Sequence, residues 1–89
     1  MESSRTIELR LTGPPAPDDL GRICAFLETA EPADVVCDVG GLGRADLVVV
    51  DALARLRLAA GRGGHRLVFQ GAGPELRGVL DLVGLGGLL

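Results

Sequence analysis

Apolar and polar positions alternate at the start of the chain. In the stretch RTIELRL, residues 5–11, Ile7, Leu9 and Leu11 point one way, while Thr6, Glu8 and Arg10 point the other. That period of two predicts a half-buried strand. TGPPAP then breaks it, since Pro14, Pro15 and Pro17 exclude regular structure until a helix opens near Pro17 or Asp18. Proline suits a first helical turn, and the acidic residues there suit its positive end. Leu20, Ile23, Cys24, Leu27 and Ala30 recur on one helical stripe with Phe26 at its edge, and Pro32 stops the helix. DVVCDV, residues 34–39, is a short valine-rich run that reads as a central strand covered on both faces. After the loop GGLGRA, a second helix is predicted from about Asp46 to Ala60. Asp46 serves as its N-cap, Val49, Leu53, Leu56 and Ala60 form its core stripe, and GRGG ends it. HRLVFQ, residues 65–70, is a third strand. A third helix runs from Pro74 to Leu82, with Leu76, Val79, Leu80 and Val83 as its apolar stripe.

The order β-α-β-α-β-α predicts an α/β fold with a mostly parallel sheet and right-handed crossovers. At 89 residues the chain has room for one domain, residues 1–89, with residues 1–4 as a flexible tail. One side of the second helix stands out. Leu47, Val48 and Leu58 fall away from the core stripe, beside Asp51, Arg55 and Arg62. Three apolar groups rimmed by charge make a candidate contact patch, unless another element covers them.

Composition narrows the chemistry. The formal net charge is −3, and the nine basic residues are all arginine and scattered, so a nucleic-acid stripe is not expected. There is no apolar leader segment and no run long enough to span a bilayer, so a soluble cytoplasmic protein without membrane insertion is expected. Hydroxyls are scarce: Ser3, Ser4, Thr6, Thr12 and Thr29 are the whole supply, and none follows Thr29. A serine triad would need its nucleophile from the terminus. Cys24 and Cys37 read as small buried apolar groups rather than a disulfide or metal pair, and His65, the single histidine, as a solvated surface residue. No catalytic residue, cofactor or metal is expected.

Asp38, Asp46 and Asp51 could be taken for a cation or acid–base cluster. Each also has a structural role available: Asp46 caps a helix, Asp51 pairs with Arg55, and Asp38 accepts from its own glycine turn. Gly41 to Asp46, GLGRAD, approaches the dinucleotide pattern G-x-G-x-x-G. Its last position is aspartate, which sets a negative charge where a pyrophosphate would sit. A nucleotide- or small-molecule-binding sensor therefore stands as the alternative, not the leading reading.

The element order and the stretch VVCDVGGLGRADLVVVDALARL, residues 35–56, resemble a STAS domain, the fold of anti-sigma factor antagonists. Asp38 and Asp46 have the eight-residue spacing of that family's two aspartates, and GGHRLVFQGAGPELRGVLDLVGL resembles its next strand, turn and helix. The resemblance implies two serines and a glycine where this chain has Leu47, Val48 and Val49, so Val48 stands at the usual phosphoacceptor position. The family's first edge strand and final strand and helix have no room here, so the fold is expected to be truncated at both ends. The resemblance further implies a bacterial protein of transcription regulation, working as a non-catalytic protein-binding module without the phospho-switch. Its contact residues would be Gly40, Gly41, Leu42, Gly43, Arg44, Asp46, Leu47, Val48, Asp51 and Leu58. An anti-sigma kinase-like protein or a larger regulatory or transport complex would be the partner. A small subunit of a lipid-transport ABC system and a homodimer through the same patch are further versions.

Overall fold

The computed structural model describes residues 5–13, 15–43 and 46–88. The expected tail, residues 1–4, and Pro14 lie outside them. Six main elements follow in the expected order: β1 (Thr6–Arg10), α1 (Pro17–Thr29), β2 (Asp34–Asp38), α2 (Leu47–Arg62), β3 (Arg66–Gln70) and α3 (Pro74–Leu82). A short 3-10 turn, Gly86–Leu88, follows α3. The sheet is wholly parallel, in the order β1-β2-β3. Its register aligns Ile7, Val35 and Leu67 in one row, and Leu9, Cys37 and Phe69 in the next.

These odd-numbered residues point to a single core. Leu20 and Leu27 of α1, Val49, Leu53 and Leu56 of α2, and Leu76 and Leu80 of α3 pack against them. Each large apolar side chain taken fully out of water contributes about 1.5–3 kcal/mol. With right-handed crossovers, a monotonic strand order carries each connecting helix to the same side of the sheet. That corrects one expectation: β2 is central, but it is not covered on both faces. Val36, its neighbour Val68 and Asp38 are only half-buried on the opposite face, and Glu8, Arg10, Arg66 and Gln70 beside them are exposed.

Two further side chains depart from their stripes. Val83 is 50% exposed because the helix has ended at Leu82, so the stripe's periodicity no longer aims it inward. Phe26, at the stripe's edge, is also 50% exposed.

His65 is a further correction. It does not stand free in solvent but clasps two chain segments. Its Nδ1 accepts from the Ala33 N–H at 3.1 Å, and its Nε2 lies 2.6 Å from the Leu27 carbonyl oxygen at the end of α1. The ring that satisfies both is the neutral Nε2–H tautomer. Gly63 is needed beneath it: a Cβ there would fall on the Leu27 carbonyl oxygen and lie 2.7 Å from the His65 ring. The pattern of the local sequence held no sign of this, because the partners are 32 and 38 residues away.

Candidate functional site

The loop after β2 is held by its own backbone and by Asp38. Asp38 Oδ1 accepts from the Gly40 N–H at 2.9 Å, the turn expected of an aspartate two residues before a glycine. Its other oxygen lies 3.8 Å from Arg10 Nε. Gly71, at φ 80° in the turn after β3, comes so close that a side chain there would meet the same carboxylate. The β3–α3 turn thus passes close to the Asp38 carboxylate, and only a residue without a side chain fits at position 71. Leu42 anchors the loop from inside, as a buried core residue, so the expected contact loop presents Gly40, Gly41 and Gly43 but turns Leu42 inward. Arg44 lies outside the described residues.

Asp46 opens α2. Its side chain accepts from the Val49 N–H at 3.1 Å, which satisfies one of the donors that a helix start leaves open. This fixes the rotation of the first turn. Val49 faces the core at 1% exposure, whereas Leu47 and Val48 are 85% and 60% exposed. Leu58 is exposed on the same side, three turns on. Asp51 pairs with Arg55 at 2.8 Å between them, and Arg62 reaches across to Glu28 of α1 at 3.2 Å. The apolar patch therefore has a rim of charges that already satisfy one another.

Val48 and Leu58 also border a groove of about 710 Å³ between α1 and α2. Small residues form much of its lining, with Gly21 and Cys24 from α1 and Ala52 and Ala59 from α2. The Cys24 thiol donates to the Arg55 carbonyl oxygen at 3.8 Å. Nothing in the sequence announced this groove, because it depends on how two helices pack 30 residues apart in the chain.

The candidate reactive groups do not converge. Both cysteines are free. Burial, then the Glu28 charge, pushes the Cys24 thiol up, against the opposing pull of Arg55 and Arg62. Burial, then Asp38, pushes Cys37 up to about 11. Neither is a poised thiolate, and the ring nitrogens of His65 are engaged with backbone. Asp38, Asp46 and Asp51 each serve the local role named above. Among the described residues, no group of three or more His, Cys, Asp or Glu side chains is placed to hold a metal ion. The strand order never reverses, so the three strands offer no switch-point crevice of the kind that seats nucleotides in open α/β sheets. Among the described residues, no helix is long and apolar enough to cross a membrane.

The β-α-β-α-β-α order and the parallel sheet agree with the fold that the sequence resemblance implies. The family described as "Mlab, STAS domain" matches residues 2–89, and the chain belongs to it. Membership gives it a regulatory or protein-interaction role of the general STAS kind. No curated protein and no solved structure matches the chain.

Proposed function

We propose that this chain is a non-catalytic protein-binding module that resembles an anti-sigma factor antagonist but has no phospho-switch. Its docking face comprises the loop residues Gly40, Gly41 and Gly43 and the outward side of α2, from Asp46, Leu47 and Val48 to Asp51 and Leu58. The observation that carries this reading is Val48. By the sequence resemblance it stands at the family's phosphorylatable serine position, and it is 60% exposed rather than packed inside. A phosphate on a serine at such a site adds about −1.5 to −2 charge and repels a partner. Valine cannot accept one, so the face stays apolar and binding is constitutive. The partner is an anti-sigma kinase-like protein or a larger regulatory or transport complex, a lipid-transport ABC system included, met in the cytoplasm of a bacterium.

The test is Val48→Asp. The variant sets a permanent charge on that face, while exposure lets water solvate it. A specific protein retained from native cells by the wild type should be lost at least about tenfold by the variant, at an unchanged thermal midpoint. Titration of the protein with millimolar ATP or GTP is the companion measurement. Undiminished capture by V48D, or specific nucleotide-induced shifts of the amides in residues 40–48, would replace this reading with the sensor alternative.

A further inference from the structure

The two edges of the sheet are not alike. The 3-10 turn Gly86–Leu88 packs against β3, whereas no strand pairs with the outer side of β1 among the described residues. Which backbone groups that outer side presents follows from the ladder. The Arg5 carbonyl accepts from the Asp34 N–H at 2.9 Å, and the Leu11 N–H donates to the Asp38 carbonyl at 3.0 Å. Residues 5, 7, 9 and 11 therefore face β2. Thr6, Glu8 and Arg10 turn their N–H and C=O groups outward.

Apolar cover is also thinnest there. Val35, Cys37, Leu67 and Phe69 are buried, but their row partners on β1, Ile7 and Leu9, are only half-buried. Phe26 adds to this flank. Cys24 and Glu28 touch α2. At about 100° per residue, Phe26 lies on the opposite side of α1, which is the side toward β1. The region thus combines unpaired ladder groups, two half-covered aliphatic side chains and a half-exposed aromatic ring.

The sequence of β1 says what covers it. In an antiparallel pairing of β1 with another β1 about a two-fold axis at Leu9, residue 8 stands opposite residue 10. Two Glu8–Arg10 pairs then flank a central Leu9–Leu9 contact. Glu8 and Arg10 carry the outward N–H groups that exchange hydrogen bonds in this register. Opposite charges directly across a ladder attract and like charges repel. An axis at Glu8 would oppose two carboxylates. An axis at Ile7 would set Glu8 against Thr6 and leave Arg10 past the strand's paired length. Only the Leu9 register sets Glu8 opposite Arg10, whose Nε also lies 3.8 Å from Asp38 of its own chain, and it brings the Ile7, Leu9 and Phe26 flanks of two molecules together.

We propose that the outer edge of β1 is a self-association surface, whose occupant is β1 of a second copy of this chain, antiparallel and in the Leu9 register. Two three-stranded sheets then join into one of six strands. The Val48 face lies on a different element, so this surface stands or falls independently of the partner reading.

Sedimentation of the full chain over a wide concentration range, with charge-swap variants, tests the proposal. The wild type should show a monomer–dimer equilibrium. Glu8→Arg sets Arg against Arg in both symmetry-related pairs, and Arg10→Glu sets Glu against Glu. Each should weaken the dimer by about tenfold or more. The double variant E8R/R10E restores opposite charges and should bring self-association back to within about threefold of wild type. A variant merely damaged in folding would not be rescued in this way. Phe26→Ser should weaken the dimer with no change of charge. A wild type that stays monomeric to millimolar concentration overturns the proposal. So does a dimer that the double variant fails to restore, or one dissolved by V48D and indifferent to E8R.

Discussion

Val48 and Val49 are the same side chain at adjacent positions in the first turn of α2, yet one is 60% exposed and the other 1%. The difference is a 100° rotation about the helix axis. It divides α2 into two faces with different work. Val49, Leu53, Leu56 and Ala60 close the core over the sheet. Leu47, Val48 and Leu58 lie on the other side among the paired charges Asp51–Arg55 and Glu28–Arg62. The comparison teaches that apolar character alone does not separate structure from recognition in this helix. Angle does, and a single carboxylate at Asp46 helps to set the angle.

Charge placed on each face in turn is the harshest way to break that comparison. In Val49→Asp the carboxylate enters the core, where no described residue offers a buried polar side chain to receive it. The loss should reach about 4 kcal/mol or more, enough to unfold a domain of this size. In Val48→Asp the carboxylate meets water, and stability should change by less than about 0.5 kcal/mol. Urea unfolding of the pair measures both. Equal losses at the two positions would dissolve the distinction between the faces and take the docking proposal with it.

The element order, the parallel sheet and both faces of α2 were legible from the sequence, because a period of 3.6 against a period of two is a local property. The Asp46 cap, the Asp51–Arg55 pair and the Asp38 turn were legible for the same reason, since each joins residues no more than four apart; the contact of Asp38 with Arg10 is long-range and was not. What failed to show was long-range. The open face of the sheet depends on the handedness of two crossovers, not on the composition of β2, whose valines resemble those of a strand covered twice. The His65 clasp joins segments 32 and 38 residues apart, and a histidine before a strand looks the same whether its partners are carbonyls or water. The α1–α2 groove, with Cys24 in its lining, likewise exists only once two helices are packed.

A gentler comparison of the same kind sets Cys24 against Cys37. One thiol is half-buried beside two arginines, and the other is in the core. The buried thiol ionises near 11 in the folded chain instead of 9.0. Above pH 9 the unfolded chain therefore releases this proton first. The contribution of Cys37 to stability is full below pH 9 and is lost as pH climbs to about 11, a change of about 2 kcal/mol. No lysine or tyrosine side chain titrates in this window beside the two thiols, since the chain has neither residue. Cys24 shifts in the same direction and adds to the slope. Unfolding free energies from pH 8 to 11 should fall for the wild type and flatten markedly for Cys37→Ala. A thiol reagent at neutral pH should modify Cys24 first, and Cys37 only on unfolding. An unchanged slope in Cys37→Ala would mean that the core thiol reaches solvent.

The smallest effect sharpens the comparison at its origin. Asp46 accepts the Val49 N–H at 3.1 Å, so it acts on the residue that divides the two faces. Its removal leaves the core side of α2 packed, because Leu53, Leu56 and Ala60 lie beyond the first turn. The loss in Asp46→Ala should therefore be confined to the value of one cap, about 1 kcal/mol. Its local signature is specific: exchange of the Val49 amide hydrogen should accelerate, while the amides of Leu53 and Leu56 keep their protection except for the share lost globally. Asp46→Asn keeps the accepting oxygen and should recover most of the loss, since the two residues cap about equally well. If the alanine variant frees the first turn, Leu47 and Val48 lose the fixed orientation that sets them outward, and partner capture should weaken although neither side chain has changed. Capture at full strength with a frayed first turn would place recognition on Leu58 and the groove behind it, and the outward face of α2 would begin one turn later than Asp46.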